Sequence, residues 1–337
     1  HYLFVSQGTA ETSLETGLPT RQVGEVQVNP GGAANVVYNL TALRTGAIET
    51  VGVVGDDMYG RELTRILSQA GANTDGLIVQ ESGWDTSVYT KVYEGGAEDP
   101  RLDIGAGNTL SADTAAEVLE TLRAVLSRVE VLIINQQIKN TLFTAEFRRE
   151  VARILSDYPG IEKLVDSRDY ADEFPGTVRK INLREARHYA AAAAGAQDPA
   201  REARKNTATT AADVEELCTG LSRTWGTPIV VTRGQDGCVV AEGGSMETVP
   251  GIGMPRPVDP VGAGDALLAG MAASRAGGMS LAEAARVGNL CAAVTVKKLY
   301  RTGTASPEEV RRLAKRPAYR MRPDLAAEPE QARYVDG

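Results

Sequence analysis

The stretch Asp259-Pro260-Val261-Gly262-Ala263-Gly264-Asp265, running on into Ala266–Ala276, decides how this chain reads. A glycine-rich turn passes directly into an apolar helix of small residues. Gly262 and Gly264 flank Ala263, so the backbone can turn tightly and aim successive N–H groups at one point. Those donors, with the positive end of the helix, make an anion site. Asp265 projects from the first turn beside it. Phosphoryl transfer uses such a pairing: the N–H groups stabilise charge on the group in flight while the carboxylate takes a hydroxyl proton. Taken alone, a Gly-X-Gly-Asp reads as a flexible turn with Asp265 as a helix cap. The rest of the chain decides between the two.

Outward from this turn, apolar runs suited to buried strands recur at Thr50–Val54, Val131–Asn135, Lys163–Val165 and Ile229–Thr232. Amphipathic stretches alternate with them, at Gly60–Ala70, Ala112–Ser127, Thr144–Ser156 and Val214–Thr224. The alternation predicts βαβ units and a parallel sheet covered by helices on both faces, a three-layer α/β/α fold. Two regions break the rhythm. Residues 1–29 hold Tyr2–Val5 and Gly24–Val28, and residues 86–105 hold Ser87–Tyr93 and Arg101–Ile104. All four segments alternate polar and apolar side chains, the pattern of strands with one wet face. They predict a small accessory β-sheet lid, placed to cover a ligand cleft or to pair with a second subunit. The alanine run Ala190–Ala194 within His188–Ala212 predicts a helix, and the tail from Arg316 reads as a surface segment. No repeat or internal boundary divides residues 1–337, which read as one domain.

Hydrophobic residues make up 42% and charged residues 24%, the balance of a globular protein. The formal charge of −8 disfavours a nucleic-acid surface, though backbone N–H groups can still hold a nucleotide's phosphates. No apolar run approaches the ~20 residues that span a bilayer, and no leader pattern argues for secretion. Cys218, Cys238 and Cys291 are far apart, and with only His1 and His188 no metal-ligand spacing is visible. Reduced thiols and a cytoplasmic location are the expectation.

The Asp259–Asp265 segment resembles the C-terminal signature of the ribokinase-like (PfkB) carbohydrate kinases, and Pro30-Gly31-Gly32-Ala33-Ala34-Asn35-Val36 resembles their N-terminal one. Two more family landmarks fall in order between them: Asn182-Leu183-Arg184-Glu185, and Val231-Thr232-Arg233-Gly234 followed by Gly237. The resemblance implies the ribokinase-like fold and an ATP-dependent sugar kinase. In it Asp265 is the general base, and Gly262, Ala263 and Gly264 supply the anion hole. Asn182 and Glu185 organise Mg²⁺ through water, and they also have the spacing of a helix-capping box. Gly31, Gly32 and Asn35 contact sugar hydroxyls. Thr232, Arg233, Gly234 and Gly237 face ATP, and Asn289 flanks its adenine. A monovalent-cation site near Asp259 belongs to the same set of family expectations.

Within the family, the N-terminal segment running on to Asn39-Leu40 and Gly46, with Asp56-Asp57, Gly60 and Asp166-Ser167-Arg168, is most similar to the bacterial heptose-phosphate kinase branch. That similarity adds Asp57 to the substrate residues. A phosphorylated sugar calls for cations, for which Arg101, Lys139 and Arg168 are the candidates. Asn135-Gln136-Gln137-Ile138-Lys139 departs from that branch, which leaves the sugar open. Family members also carry a first core strand, ending in a sugar-binding aspartate, ahead of the segment that here opens as His1-Tyr2-Leu3; either that strand is absent, in which case a sheet edge is exposed and one sugar contact is lost, or it precedes His1. Two other functions remain: a nucleoside kinase, with Tyr38 and Trp84 as the stacking rings, and a catalytically silent sugar- or nucleotide-binding relative.

Overall fold

A computed structural model describes residues 1–6, 11–139, 142–200, 211–315 and 319–320. Along the chain run β1 (Tyr2–Val5), β2 (Val23–Gln27), α1 (Ala33–Ala42), β3 (Glu49–Gly55), α2 (Met58–Gln69) and β4 (Asn73–Gln80). β5 (Val88–Glu94), β6 (Ala97–Glu98), β7 (Leu102–Ile104), α3 (Ala112–Leu126), β8 (Val131–Gln136), α4 (Ala145–Ser156) and β9 (Glu162–Ser167) follow. The C-terminal half adds β10 (Val178–Asn182), α5 (Leu183–Ala193), α6 (Ala211–Trp225), β11 (Ile229–Thr232), β12 (Gly237–Glu242) and β13 (Ser245–Ile252). Last come α7 (Ala263–Ala276), α8 (Leu281–Thr295), α9 (Pro307–Ala314) and β14 (Tyr319–Arg320).

The main sheet has seven strands in the order β14-β13-β12-β11-β10-β9-β8. β8 to β11 are parallel, whereas β12, β13 and β14 add antiparallel, so the expected parallel sheet is a mixed one. Its side chains alternate between faces. Val230 and Leu164 pack with α1, α7 and α8 in one core cluster. Their neighbours Val231 and Ile229 pack with α5 and α6, and Val165 packs with α3 and α4. This period of two is what gives a central strand two buried faces and the molecule its three layers. Local chemistry sets the helix starts: the Ser111 and Thr144 side chains accept from the third residue on, and Ser280 with Glu283 forms a full capping box. Among the described residues no helix is long and apolar enough to cross a membrane.

The predicted accessory sheet forms, in the order β2-β1-β5-β6 with β7 on β5. Tyr2, Phe4 and Tyr93 stack on its inner side, and Tyr300 meets Phe4 and Tyr93 edge-on. Two corrections concern continuity. Among the described residues β3 and β4 pair with each other and not with the main sheet, whose outer parallel strand is β8. Between β3 and β8 lies a cavity of about 1530 Å³, walled deep inside by Val51, Val53, Leu77, Leu122, Val131 and Ile133. The helix expected over His188–Ala212 is α5 and ends at Ala193; residues 201–210, and the tail from Arg316 except 319–320, lie outside the described residues.

α7 and α8 cross backbone to backbone. A Cβ on Gly270 would stand 2.9 Å from the Gly288 Cα, and one on Gly288 would stand 2.5 Å from the Leu267 carbonyl oxygen. Gly288→Ala is expected to push α8 off α7 and lower stability by about 1–3 kcal/mol, read as a lower urea midpoint. Gly220→Ala, in α6 with open space around it, is the control and is expected to raise the midpoint slightly.

Candidate active site

Two glycine turns meet at the centre of the molecule. Gly262 caps α7 at φ +77°, and Gly32 caps α1 at φ +51°; both are left-handed values that other residues avoid. A Cβ on Gly262 would lie 2.7 Å from Asn35 Nδ2, so space as well as φ requires glycine there. One turn into each helix stand Asp265 and Asn35. The Asn35 amide, fully buried, donates to Asp265 Oδ2 at 2.7 Å. Asn39 donates to the Asn35 carbonyl at 2.9 Å and to Asn35 Oδ1 at 3.2 Å, which sets the amide's orientation so that its N–H₂ faces the carboxylate. Burial pushes the Asp265 carboxyl up to about 6; the Asn35 bond and the Lys180 ammonium act against that rise.

Register supplies the rest. In the parallel part of the sheet Asn135 pairs with Asp166, and Asn182 pairs with Thr232. All four therefore reach the carboxyl edge of the sheet, where open α/β sheets bind ligands. Asn182 caps α5: its Oδ1 accepts from the Glu185 N–H at 2.9 Å, and Glu185 Oε2 accepts from the Asn182 N–H at 2.8 Å. Burial raises the Glu185 carboxyl, with the backbone bond from Asn182 opposing it. The capping box leaves the second Glu185 oxygen for a cation. Among the described residues no group of three or more His, Cys, Asp or Glu side chains could cage a metal directly. That donor set fits Mg²⁺, which keeps most of its waters and takes few protein ligands.

Beyond β11, the Arg233 N–H donates to the Gly237 carbonyl at 2.8 Å and Arg233 Nη2 donates to the Asp236 carbonyl at 2.9 Å, closing a tight turn over Gly234. Gly237 has φ +84° and would put a Cβ 2.1 Å from the Val249 carbonyl oxygen, so the turn seats on β13 only without a side chain. Asn289, expected beside adenine, is buried and donates to the Pro250 carbonyl at 2.7 Å. Asp259 holds the turn before α7, accepting from the Val261 and Tyr300 N–H groups at 3.0 and 3.1 Å.

Gly31, Gly32, Arg168 and Asp265 line the polar mouth of the large cavity, with Asn29, Asn135 and Gln137. Both amide atoms of Asn135, and Asn29 Nδ2, are buried with no hydrogen-bond partner among the described residues. Arg168 stands exposed there and donates to Gln137 Oε1 at 3.2 Å. Arg101 also lines the cavity, but it is paired with Asp103 at 2.6 Å and lies over the Tyr89 ring. Lys139 follows β8 and is not on the cavity wall; of the two rings a nucleoside would need, Trp84 is on that wall and Tyr38 is not. Asp57, expected at the substrate, is engaged elsewhere. Its two oxygens accept from the Gly60 and Thr86 N–H groups, each at 2.7 Å, which ties α2 to the root of the lid. Burial would raise that carboxyl, and these backbone donors together bring it below its ordinary value.

Lys180 escaped the sequence reading, and Asp166 entered it only as part of a family-like turn. The Lys180 ammonium donates to Asp166 Oδ2 at 2.7 Å in a pair whose side chains are only 8% and 7% exposed. Burial would depress that ammonium, and the carboxylates of Asp166, Asp265 and Glu185 hold it above its ordinary value. The available signal was a lysine two residues before Asn182 on a strand, hence on the same face.

A half-buried carboxylate beside a glycine-rich helix start, on a three-layer α/β body with a β lid, defines a ribokinase-like phosphotransferase. The chain belongs to the pfkB family of carbohydrate kinases, whose sequence profile matches residues 8–309. It is 30% identical over 302 residues to the bifunctional protein HldE of Coxiella burnetii, covering 88% of this chain and 58% of that one. The HldE of Geobacter sulfurreducens is 29% identical over 311 residues, again with 90% of this chain and 59% of the relative covered. The chain thus spans under two thirds of the length of these curated relatives. In fold it is similar to the ribokinase of Thermotoga maritima, with TM-score 0.69, 18% identity and 93% and 95% of the two chains covered. The phosphofructokinase-2 of Escherichia coli in complex with fructose-6-phosphate gives TM-score 0.64 at 18% identity, with 93% and 94% covered.

The raised Asp265 carboxyl has a consequence for stability. Its folded value of about 6 exceeds the ordinary 3.8, so the native state holds a proton that the unfolded chain has released between those values. Stability from this group is complete below pH 4 and is lost as pH rises through 6, by on the order of 3 kcal/mol. Asp265→Asn is expected to be more stable than wild type at pH 8 and equal to it near pH 4. Urea unfolding at the two pH values measures this.

Proposed function

We propose that the chain transfers the γ-phosphoryl group of ATP to a hydroxyl of a sugar phosphate, with Asp265 as the general base. One observation carries this reading: the Asp265 carboxylate faces the same polar mouth as Gly31, Gly32 and the unpartnered Asn29 and Asn135 amides. Buried amides without partners cost free energy, and an acceptor's hydroxyls would satisfy them. A carboxyl near 6 is ionised at neutral pH yet basic enough to accept a proton in the transition state.

As the acceptor oxygen forms its bond to the γ-phosphorus, the bond to the β–γ bridging oxygen breaks, ADP leaves and the hydroxyl proton passes to Asp265. The N–H groups of Gly262 and Gly264 stabilise charge on the phosphoryl oxygens, whereas the Ala263 N–H donates to the Pro260 carbonyl at 3.1 Å and contributes only by holding the turn. Asn182 and Glu185 would hold Mg²⁺ through its waters, which when bound neutralises phosphate charge. The Thr232–Gly237 turn is the seat for the remaining phosphates. Arg168, exposed at the mouth, is the cation for an acceptor's own phosphate, and the motif similarity to the heptose-phosphate kinase branch makes a heptose phosphate the first acceptor to test. The lid carries exposed Val23, Val26 and Leu102, a surface on which a second copy could pair.

A panel of sugars and sugar phosphates with ATP and Mg²⁺, followed by ADP release, tests the reading. Sugar phosphates are expected to give the highest kcat/KM, and Asp265→Asn to lower kcat by about 10²–10⁴-fold. The wild-type rate should fall below about pH 6 as Asp265 becomes protonated. Turnover by Asp265→Asn equal to wild type would remove Asp265 from the mechanism.

A further inference from the structure

Lys180 stands where three lines of the site meet. It lies on β10 two residues before Asn182, and its ammonium reaches under the glycine turn of α7. A Cβ on Gly264 would stand 3.1 Å from Nζ, so the charge lies against the backbone that forms the anion hole. An ammonium carries three N–H donors, and among the described residues Asp166 is the one side chain it is seen to bond. Stability does not account for the pair. A buried ion pair replaced by apolar side chains is often neutral or stabilising, because desolvating two charges offsets their attraction. A cation held by one carboxylate, with N–H groups to spare beside a helix N-terminus, is instead suited to a second, transient anion.

We propose that Lys180 is a catalytic residue that donates to the phosphoryl oxygens during transfer, with Asp166 as the positioning residue that holds it under the Gly262–Gly264 turn. The proposal rests on the kinase reading above and adds a side-chain cation to its backbone donors. As the γ-phosphorus passes from the bridging oxygen of ADP to the acceptor oxygen, negative charge spreads over its three remaining oxygens. A preorganised cation there gains most in the transition state. Asp265 takes the acceptor proton, and Lys180 keeps its own throughout.

Lys180→Gln alone strands a buried carboxylate, so the neutral pair Lys180→Gln/Asp166→Asn carries the test, with urea unfolding to establish that it folds. Lys180→Met/Asp166→Leu is the alternative pair. The expected result is a kcat lower by about 10²–10³-fold with the sugar KM changed only a few-fold. Calorimetry supplies a second readout. Affinity for Mg²⁺-ADP-fluoroaluminate with the acceptor, a mimic of the phosphoryl group in flight, should fall by a similar factor while ADP affinity holds. A folded neutral pair with wild-type kcat and wild-type fluoroaluminate affinity would show that Lys180 serves only to neutralise Asp166, and the proposal would fall while the kinase reading stood. Wild type inactive on every sugar and sugar phosphate would overturn both.

Discussion

The Asn35–Asp265 hydrogen bond joins residues 230 apart in sequence, and the geometry of the site depends on it. Each partner stands one turn into a helix whose cap is a left-handed glycine. The bond therefore fixes the N-termini of α1 and α7 against each other, and both positive helix ends converge on one half-buried carboxylate. Three further details follow from holding that bond at 2.7 Å. Gly262 has no room for a side chain, Asn39 orients the Asn35 amide, and Thr302 ties the approach to α1 by donating to the Pro30 carbonyl at 2.9 Å. The carboxyl is left with too little solvent to ionise at its ordinary pH and too many donors to stay protonated at neutrality, which is the condition a general base requires.

The parallel strands do the remaining assembly. Because β8 to β11 run the same way and in register, Asn135, Asp166, Lys180, Asn182 and Thr232 reach one edge without any long loop to place them. The lid is joined to this body at its root. Asp57 accepts the Thr86 N–H, and the Thr86 hydroxyl accepts the Gly55 N–H, so the end of β3, the start of α2 and the approach to β5 share a single knot. The mouth of the cavity thereby acquires a wall whose position relative to α2 is fixed.

The strands and helices that bury one face were legible because a fixed period leaves a mark in sequence. The runs at Val131–Asn135 and Ile229–Thr232, and the alternation at Tyr2–Val5, fall on observed strands almost residue for residue. The turn at Gly262 was legible because glycine is demanded there by both φ and space. What the sequence hid were partners. Asp57 reads as a sugar ligand by resemblance, and only the fold brings Gly60 and Thr86 to it. Asn289 reads as a polar residue near a nucleotide, and only the packing of α8 on β13 gives its amide the Pro250 carbonyl. Lys180 was passed over because a lysine in a strand reads as solvated until a buried aspartate is found beside it. The direction of β12 to β14, and the gap between β3 and β8, are matters of strand pairing, to which side-chain periodicity is indifferent.

Packing around α7 differs from packing around β3 and β8. On one side, α7 is buried along most of its length against α1, α8 and the main sheet, with Leu268, Ala269 and Met271 fully enclosed. On the other, β3 and β8 face each other across apolar walls with one backbone edge apiece unpaired among the described residues. The half-buried Val51, Val53, Leu77, Val131 and Ile133 side chains that wall this space offer a polar acceptor no hydrogen bond. On the function proposed above, a sugar phosphate would gain its side-chain hydrogen bonds at the mouth, from Asn29, Asn135 and Arg168. The same proposal has Asp265 activate its hydroxyl, and the helix that carries Asp265 is the one with the most complete core around it.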